Sequence, residues 1–222
     1  MNKGCGENLM KKSGTETDRF RFLADKAREA GAADTRIIPA DGIVIEDRVW
    51  QKYLNGCYES GKHLTCPPHA PPVEDFRKSI KEYRSALLVK FHSEAKFAKE
   101  IRRSFFRTLI DPAVPKTAKD SAVAFVTAFV TETQELHHIM LDLEQAAMGA
   151  GYPFALTTIC GPGCRLCETC NIEAGQCSRP TMKRFAPEAL GINVVKTAAD
   201  AGMPIHFPAH EHPERIAILL ID

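Results

Sequence analysis

The sequence predicts an α/β or α+β fold: a single sheet flanked by helices, with two cysteine-rich loops set into it. Three observations carry that prediction. Apolar runs at residues 86–91, 154–159 and 216–221 have the length and composition of buried strands. Segments with apolar residues at three- and four-residue steps lie between them and read as helices. Seven of the eight cysteines fall in two stretches, residues 55–72 and 159–180, which also collect glycine and proline.

The elements follow in chain order. Residues 1–15 are polar and read as a flexible segment, in which Cys5 is not expected to act as a ligand. Residues 16–222 read as one domain with neither an internal repeat nor a linker. A helix is expected over 17–30, with Phe20, Leu23, Ala24 and Ala27 as its apolar stripe and Gly31 as its stop. A short strand over 35–39 leads through Asp41-Gly42 to Ile43-Val44-Ile45, and Asp47 can cap a helix carrying Trp50. After the first cysteine loop a helix resumes near Val73, followed by the strand at 86–91. Ser93 can cap a helix bearing Phe97, Ile101 and Phe105, and residues 111–121 read as an exposed loop. Leu136, Ile139, Met140, Leu143 and Ala147 mark the clearest helix, ending at Gly149 or Gly151. Asn193 can cap a helix that Gly202 stops, and 216–221 closes the sheet.

Composition excludes several classes. Hydrophobic residues at 44% and charged residues at 26% are ordinary globular values, which argues against disorder. A net charge of +1 gives no basis for a nucleic acid or a membrane surface as partner. No apolar run approaches the roughly 18 residues that span a bilayer, and residues 1–14 lack the apolar core of a secretory signal. The expected compartment is the cytoplasm, where closely spaced cysteines read as metal ligands rather than disulfides. No phosphate-cradling glycine loop, Ser-His-Asp set or paired-carboxylate motif stands out.

The dense loop runs Cys160-Gly-Pro-Gly-Cys164-Arg-Leu-Cys167-Glu-Thr-Cys170, then Cys177-Ser-Arg-Pro180. Two successive C-x-x-C steps bring three thiolates out of one tight loop. That suits a cluster in which several irons each take one thiolate, and bacterial ferredoxins use the same spacing with a remote cysteine near proline. Cys164, Cys167, Cys170 and Cys177 are therefore expected to hold a [4Fe-4S] cluster. Gly161 and Gly163 leave room for backbone amides to approach its sulfurs. Zinc is the competing reading, although it more often uses two separated pairs; thiols without metal are the third.

The first loop is less specific. Cys57 and Cys66 cannot fill a metal shell alone, so a second centre needs Cys160, His63 or His69 as well. A three-cysteine cluster would leave one iron open to a substrate. Without metal, Cys57 and Cys66 are structural thiols or an oxidisable pair. His206, His210 and His212 read as a solvated turn rather than a chelate. Arg165, Arg179, Lys183 and Arg184 place positive charge around the dense loop, which could offset thiolate charge or dock an acidic redox partner.

From about Ala32 to the end, the chain resembles a family of uncharacterised prokaryotic proteins described as predicted metal-binding and frequent in anaerobes. The resemblance rests on Ile38-Pro39 with Ile43-Val44, Cys57-Tyr58, Gly61-Lys62, Cys66-Pro-Pro68, Tyr83 with Ala86-Leu-Leu-Val89, and residues 144–152. It continues through Gly163-Cys164-Arg-Leu-Cys167, Cys170, Cys177 and Arg184-Phe-Ala-Pro-Glu-Ala-Leu-Gly191-Ile-Asn-Val194. It implies metal binding through these cysteines. The family often has a further cysteine where this chain has Tyr53, and Cys160 is an addition that could replace that ligand in space. The expected function is electron transfer to or from a partner enzyme. The alternatives are an enzyme with a second, open iron–sulfur centre acting on a small molecule, and a zinc-stabilised interaction module. The oligomeric state is not legible.

Overall fold

The computed structural model describes residues 16–102, 105–161, 163–206 and 209–222. Cys5 and the expected flexible segment before residue 16 lie outside them. Four strands form one sheet: β1 (Asp34–Pro39), β2 (Ser85–His92), β3 (Leu156–Thr157) and β4 (Glu214–Ile221). Their order is β1-β2-β4-β3 and every pairing is antiparallel, from Asp34 opposite Lys90 to Leu156 opposite Leu220. The fold is therefore α+β. The helices are α1 (Glu16–Arg19), α2 (Arg21–Glu29), α3 (Asp47–Gly56), α4 (Val73–Ser79), α5 (Lys99–Arg102), α6 (Phe105–Ile110), α7 (Lys116–Gly149) and α8 (Val194–Asp200). Among the described residues no helix is long and apolar enough to cross a membrane.

The two central strands are buried on both faces, which explains their unbroken apolar sequence. Leu87, Val89, Phe91, Ala217, Leu219 and Ile221 pack with Leu23, Ala24 and Ala27 of α2 and Met140, Leu143 and Ala147 of α7. The alternate residues Ala86, Leu88, Ile216, Ile218 and Leu220 pack with Phe76 of α4, Ile192, and Val194 and Ala198 of α8. Asn193 caps α8 as its sequence predicts, its side-chain oxygen accepting from the Lys196 amide at 3.0 Å.

Three elements differ from expectation. Helix α7 starts at Lys116, inside the segment read as a loop, and runs 34 residues. Its first half packs aromatic rings outside the sheet core: Phe125 stacks on Phe97 at 4.5 Å and meets Phe129 at 5.3 Å. That contact is tertiary, so periodicity over a short window does not reveal it. The helix expected after Ser93 is replaced by the short α5 and α6, and the Ser93 hydroxyl donates to Glu132 of α7 while accepting from the Ala95 amide at 3.2 Å. The strand expected over 154–159 shrinks to Leu156–Thr157, with Phe154 turned out to solvent.

Replacing a fully buried residue between the sheet and α7 should cost most. Leu219→Ala is expected to lower the unfolding free energy by about 2–5 kcal/mol. Ile110→Ala, at a position 80% exposed, should stay within about 0.5 kcal/mol of wild type. Urea unfolding of the two variants checks this.

Candidate functional site: two cysteine loops and a cleft

The dense loop is pinched at its base. Strand β3 leads straight into it, and the Thr158 amide still donates to Ile218 of β4 at 2.8 Å. One residue later the Ile159 amide donates to the Phe185 carbonyl at 3.0 Å, so the chain enters and leaves the loop side by side. Glu144 of α7, 4% exposed, ties both ends together. Its carboxylate accepts from the Thr157 amide at 2.7 Å and from Arg184 Nε at 2.8 Å, with a second bond from Arg184 Nη2. About two turns earlier on α7, His137 Nε2 donates to the Met182 carbonyl at 2.9 Å. Burial depresses the His137 pKa to about 4.

Within this frame Cys164, Cys167, Cys170 and Cys177 line one small cavity, together with Leu64, Thr65, Arg179 and Lys183. Two backbone amides donate to the sulfurs: Leu64 to Cys170 at 3.3 Å and Arg179 to Cys177 at 3.4 Å. The four thiols are half-buried free cysteines. The Cys164 thiol is pushed up by burial and then by its neighbours Cys167, Cys177 and Cys170, so thiolates at this site need a compensating cation. The donor set fits a metal group. Among the described residues, no three His, Cys, Asp or Glu side chains stand close enough together to hold a single metal ion.

The first loop docks on the second through Glu59. This buried carboxylate bonds His63 Nε2 at 2.7 Å and Arg165, between Cys164 and Cys167, at 3.2 Å. His63 is thus committed to Glu59 rather than aimed at Cys57 or Cys66, and His69 is exposed. Gly163 has φ +70, and a Cβ there would lie 2.6 Å from the His63 ring. Its small size serves this contact between loops.

Cys66 is fully buried. Its thiol donates to the Glu59 carbonyl at 3.2 Å, which leaves the Tyr53 hydroxyl as donor to its sulfur, also at 3.2 Å. Tyr53, one helical turn before Cys57 on α3, and Cys57 itself line a cleft of about 640 Å³. Cys160 lines the same cleft, as do Glu188 and Arg215. Burial pushes the Cys160 thiol up to about 12 and raises the Glu188 carboxyl. The structure therefore places Cys57 and Cys160 in the lining of one cleft, while Cys66, bonded to Tyr53, is not among its lining residues. His206 bonds Glu214 at 2.8 Å and stacks on His210, and His212 bonds the Ser93 carbonyl.

Glu144, Glu188 and Arg215 escape a sequence reading as site residues. Arg215 carries the one usable signal, a charge at the edge of an otherwise apolar strand. Glu144 and Glu188 look like ordinary helical carboxylates.

The fold and its free thiols define an α+β protein with clustered cysteines and no disulfide among the described residues. More particularly, the chain belongs to the DUF2284 family of predicted metal-binding proteins, whose sequence profile matches residues 36–221. No curated protein and no solved structure matches it.

Two outcomes follow from the anchors of the dense loop. Glu144→Ala leaves the Arg184 guanidinium without its partner and should cost about 3–5 kcal/mol in urea unfolding. His137 gives a pH dependence. Its folded pKa of about 4 lies below the reference value of 6.5, so between those values the unfolded chain binds a proton that the folded chain does not. Its contribution is full above pH 6.5 and is lost as the pH falls through 4, a total of about 3 kcal/mol. Unfolding measured across that window should show the slope, and His137→Gln should flatten it.

Proposed function

We propose that this protein is a cytoplasmic iron–sulfur protein in which Cys164, Cys167, Cys170 and Cys177 hold a [4Fe-4S] cluster for electron transfer to or from a partner enzyme. One observation carries the reading: four free thiols line one cavity, with backbone N–H groups already aimed at two of them. A bound cluster would supply one-electron redox chemistry. The protein's own groups do the rest. The amides of Leu64 and Arg179 stabilise negative charge on sulfur, and Arg179 and Lys183 at the cavity offset it further. The half-buried ligands keep the site near the surface, within reach of a docking protein. Zinc draws its four ligands onto a single point. Three cysteines at successive C-x-x-C steps, with a fourth seven residues on, favour a cluster over the two separated pairs usual for zinc.

The cleft favours a second reading, in which Cys57 and Cys160, with Cys66, hold another cluster facing a small substrate. The presence of Cys57 and Cys160 in the lining of one cleft of about 640 Å³ supports it. Cys66 would have to release the Tyr53 hydroxyl to join them.

Anaerobic iron and sulfide analysis separates these readings. One cluster gives about four irons and four sulfides per chain, lost in Cys167→Ser and kept in Cys57→Ser and Cys160→Ser. Two clusters give about twice that content, with a drop in each of the three variants. Colourless protein carrying zinc would overturn both.

A further inference from the structure

We propose that the cleft beside Cys57 and Cys160 binds a small uncharged molecule with an apolar body and one carbonyl oxygen, the oxygen resting on Glu188. Its volume of about 640 Å³ falls in the range of about 300–1,000 Å³ typical of small-molecule sites, which are mostly apolar with a few polar groups. Val49 of α3, Val194 and Val195 of α8, Ile192, Ile205 and Ile216 supply the apolar walls.

The charged groups of the lining are already committed within the protein. Arg48 pairs with Glu46 at 2.5 Å. Arg215, its side chain 3% exposed, gives its Nη groups to Glu132 at 3.2 Å, to Thr133 at 2.5 Å and to the carbonyls of Phe129 and Cys160. Glu214 holds Lys90 at 3.0 Å and His206 at 2.8 Å. Asn193 is used at both ends, by the Lys196 amide at 3.0 Å and by Glu46 at 2.9 Å. Lys52 is an exposed residue at the rim, where water solvates its ammonium. An ionic ligand entering this cleft gives up hydration and meets no buried counter-charge in return, so the lining selects against it.

Glu188 differs from these groups. It stands on the turn Pro187–Leu190, half-buried and in the cleft lining. The hydrogen bond that bears on its carboxyl comes from its own backbone amide, and among the described residues no cation pairs with it. A carboxyl so placed is favoured in its neutral form by burial and then has an O–H to donate. The complement of one donor among apolar walls is a neutral acceptor, and a carbonyl oxygen is the simplest.

The inference rests on the cleft as a substrate site and on neither cluster. Four probes share one naphthalene body: 2-acetylnaphthalene, 2-ethylnaphthalene, 2-naphthoate and 2-naphthylmethylammonium. Equilibrium dialysis against the full chain, purified anaerobically, should show the acetyl compound bound at least about tenfold more tightly than either ion. The Glu188 bond is read from the ratio of acetyl to ethyl affinity. Glu188→Leu should lower that ratio about fivefold, whereas Glu188→Gln, which still has an N–H to donate, should keep it. Val49→Trp and Val195→Trp, the second at a position 41% exposed, fill the cleft and should weaken the acetyl compound at least about tenfold. No binding of the acetyl compound, an ion bound equally well, a ratio unmoved by Glu188→Leu, or binding untouched by both filling variants would overturn the inference. Iron and sulfide measured on the same samples report on the metal separately, so failure of this inference is distinguishable from failure of either metal reading.

Discussion

The carboxylate of Glu144 is the constraint on which the cysteine loop depends. It sits on α7 beneath the sheet edge and meets both ends of the loop at once, Thr157 on the way in and Arg184 on the way out. A buried charge of this kind is costly unless its hydrogen bonds are complete. Here they are supplied by a backbone amide and a guanidinium that only this loop closure brings together. Twenty-five or so residues with little regular structure of their own therefore leave and return at fixed points. Loop closure of that length costs only modest entropy, and the Ile159–Phe185 bond and the His137–Met182 bond share the task. The four thiols inherit their proximity from this base rather than from contacts among themselves.

The first cysteine loop belongs to both sites. Its Glu59 and Leu64 contact the dense loop at Arg165 and Cys170, while its Cys57 lines the cleft. Tyr53 joins Cys57 to Cys66 from α3. A shift of residues 57–66 would thus be felt at the four-cysteine cavity and at the cleft together. Gly163 makes the arrangement close, since any side chain there would strike His63. The two sites are thus joined through directly packed groups and not through an extended chain of contacts.

The legible parts of this fold were those governed by local rules. The stripe of α2, the cap of α8 by Asn193 and the two central strands are written in spacing and residue type. The antiparallel direction was not, because a strand covered on both faces has the same apolar run in either orientation. The early start of α7 was hidden for a related reason: its first half is held by Phe97 and Phe105, whose partnership with Phe125 is set by the tertiary fold. The C-x-x-C steps of the dense loop read as a metal motif, and the fold gathers its four cysteines at one cavity. The cleft was legible only in part: Cys160 was expected near the Tyr53 position, whereas Glu188, although inside the family-like segment 184–194, and Arg215 carry no sign of facing it.

The two groups of cysteines differ in what burial asks of them. Cys164, Cys167, Cys170 and Cys177 are half-buried, receive amide hydrogen bonds at two sulfurs and have Arg179 and Lys183 beside them. These groups offset part of the thiolate charge, although burial and the neighbouring thiols still push the Cys164 thiol up. Cys160 is buried, its thiol is held strongly in the protonated form, and the Arg215 guanidinium nearby only partly offsets that. It is therefore a poor nucleophile as it stands. It becomes a thiolate only if a positive charge arrives with the ligand it binds. Cys66 is spoken for by Glu59 and Tyr53. The dense loop is thus prepared for a metal group in advance, whereas a centre on Cys57, Cys66 and Cys160 would have to rearrange hydrogen bonds and neutralise buried charge as it forms. This asymmetry supports the proposal that the dense loop, rather than the cleft, is the primary metal site.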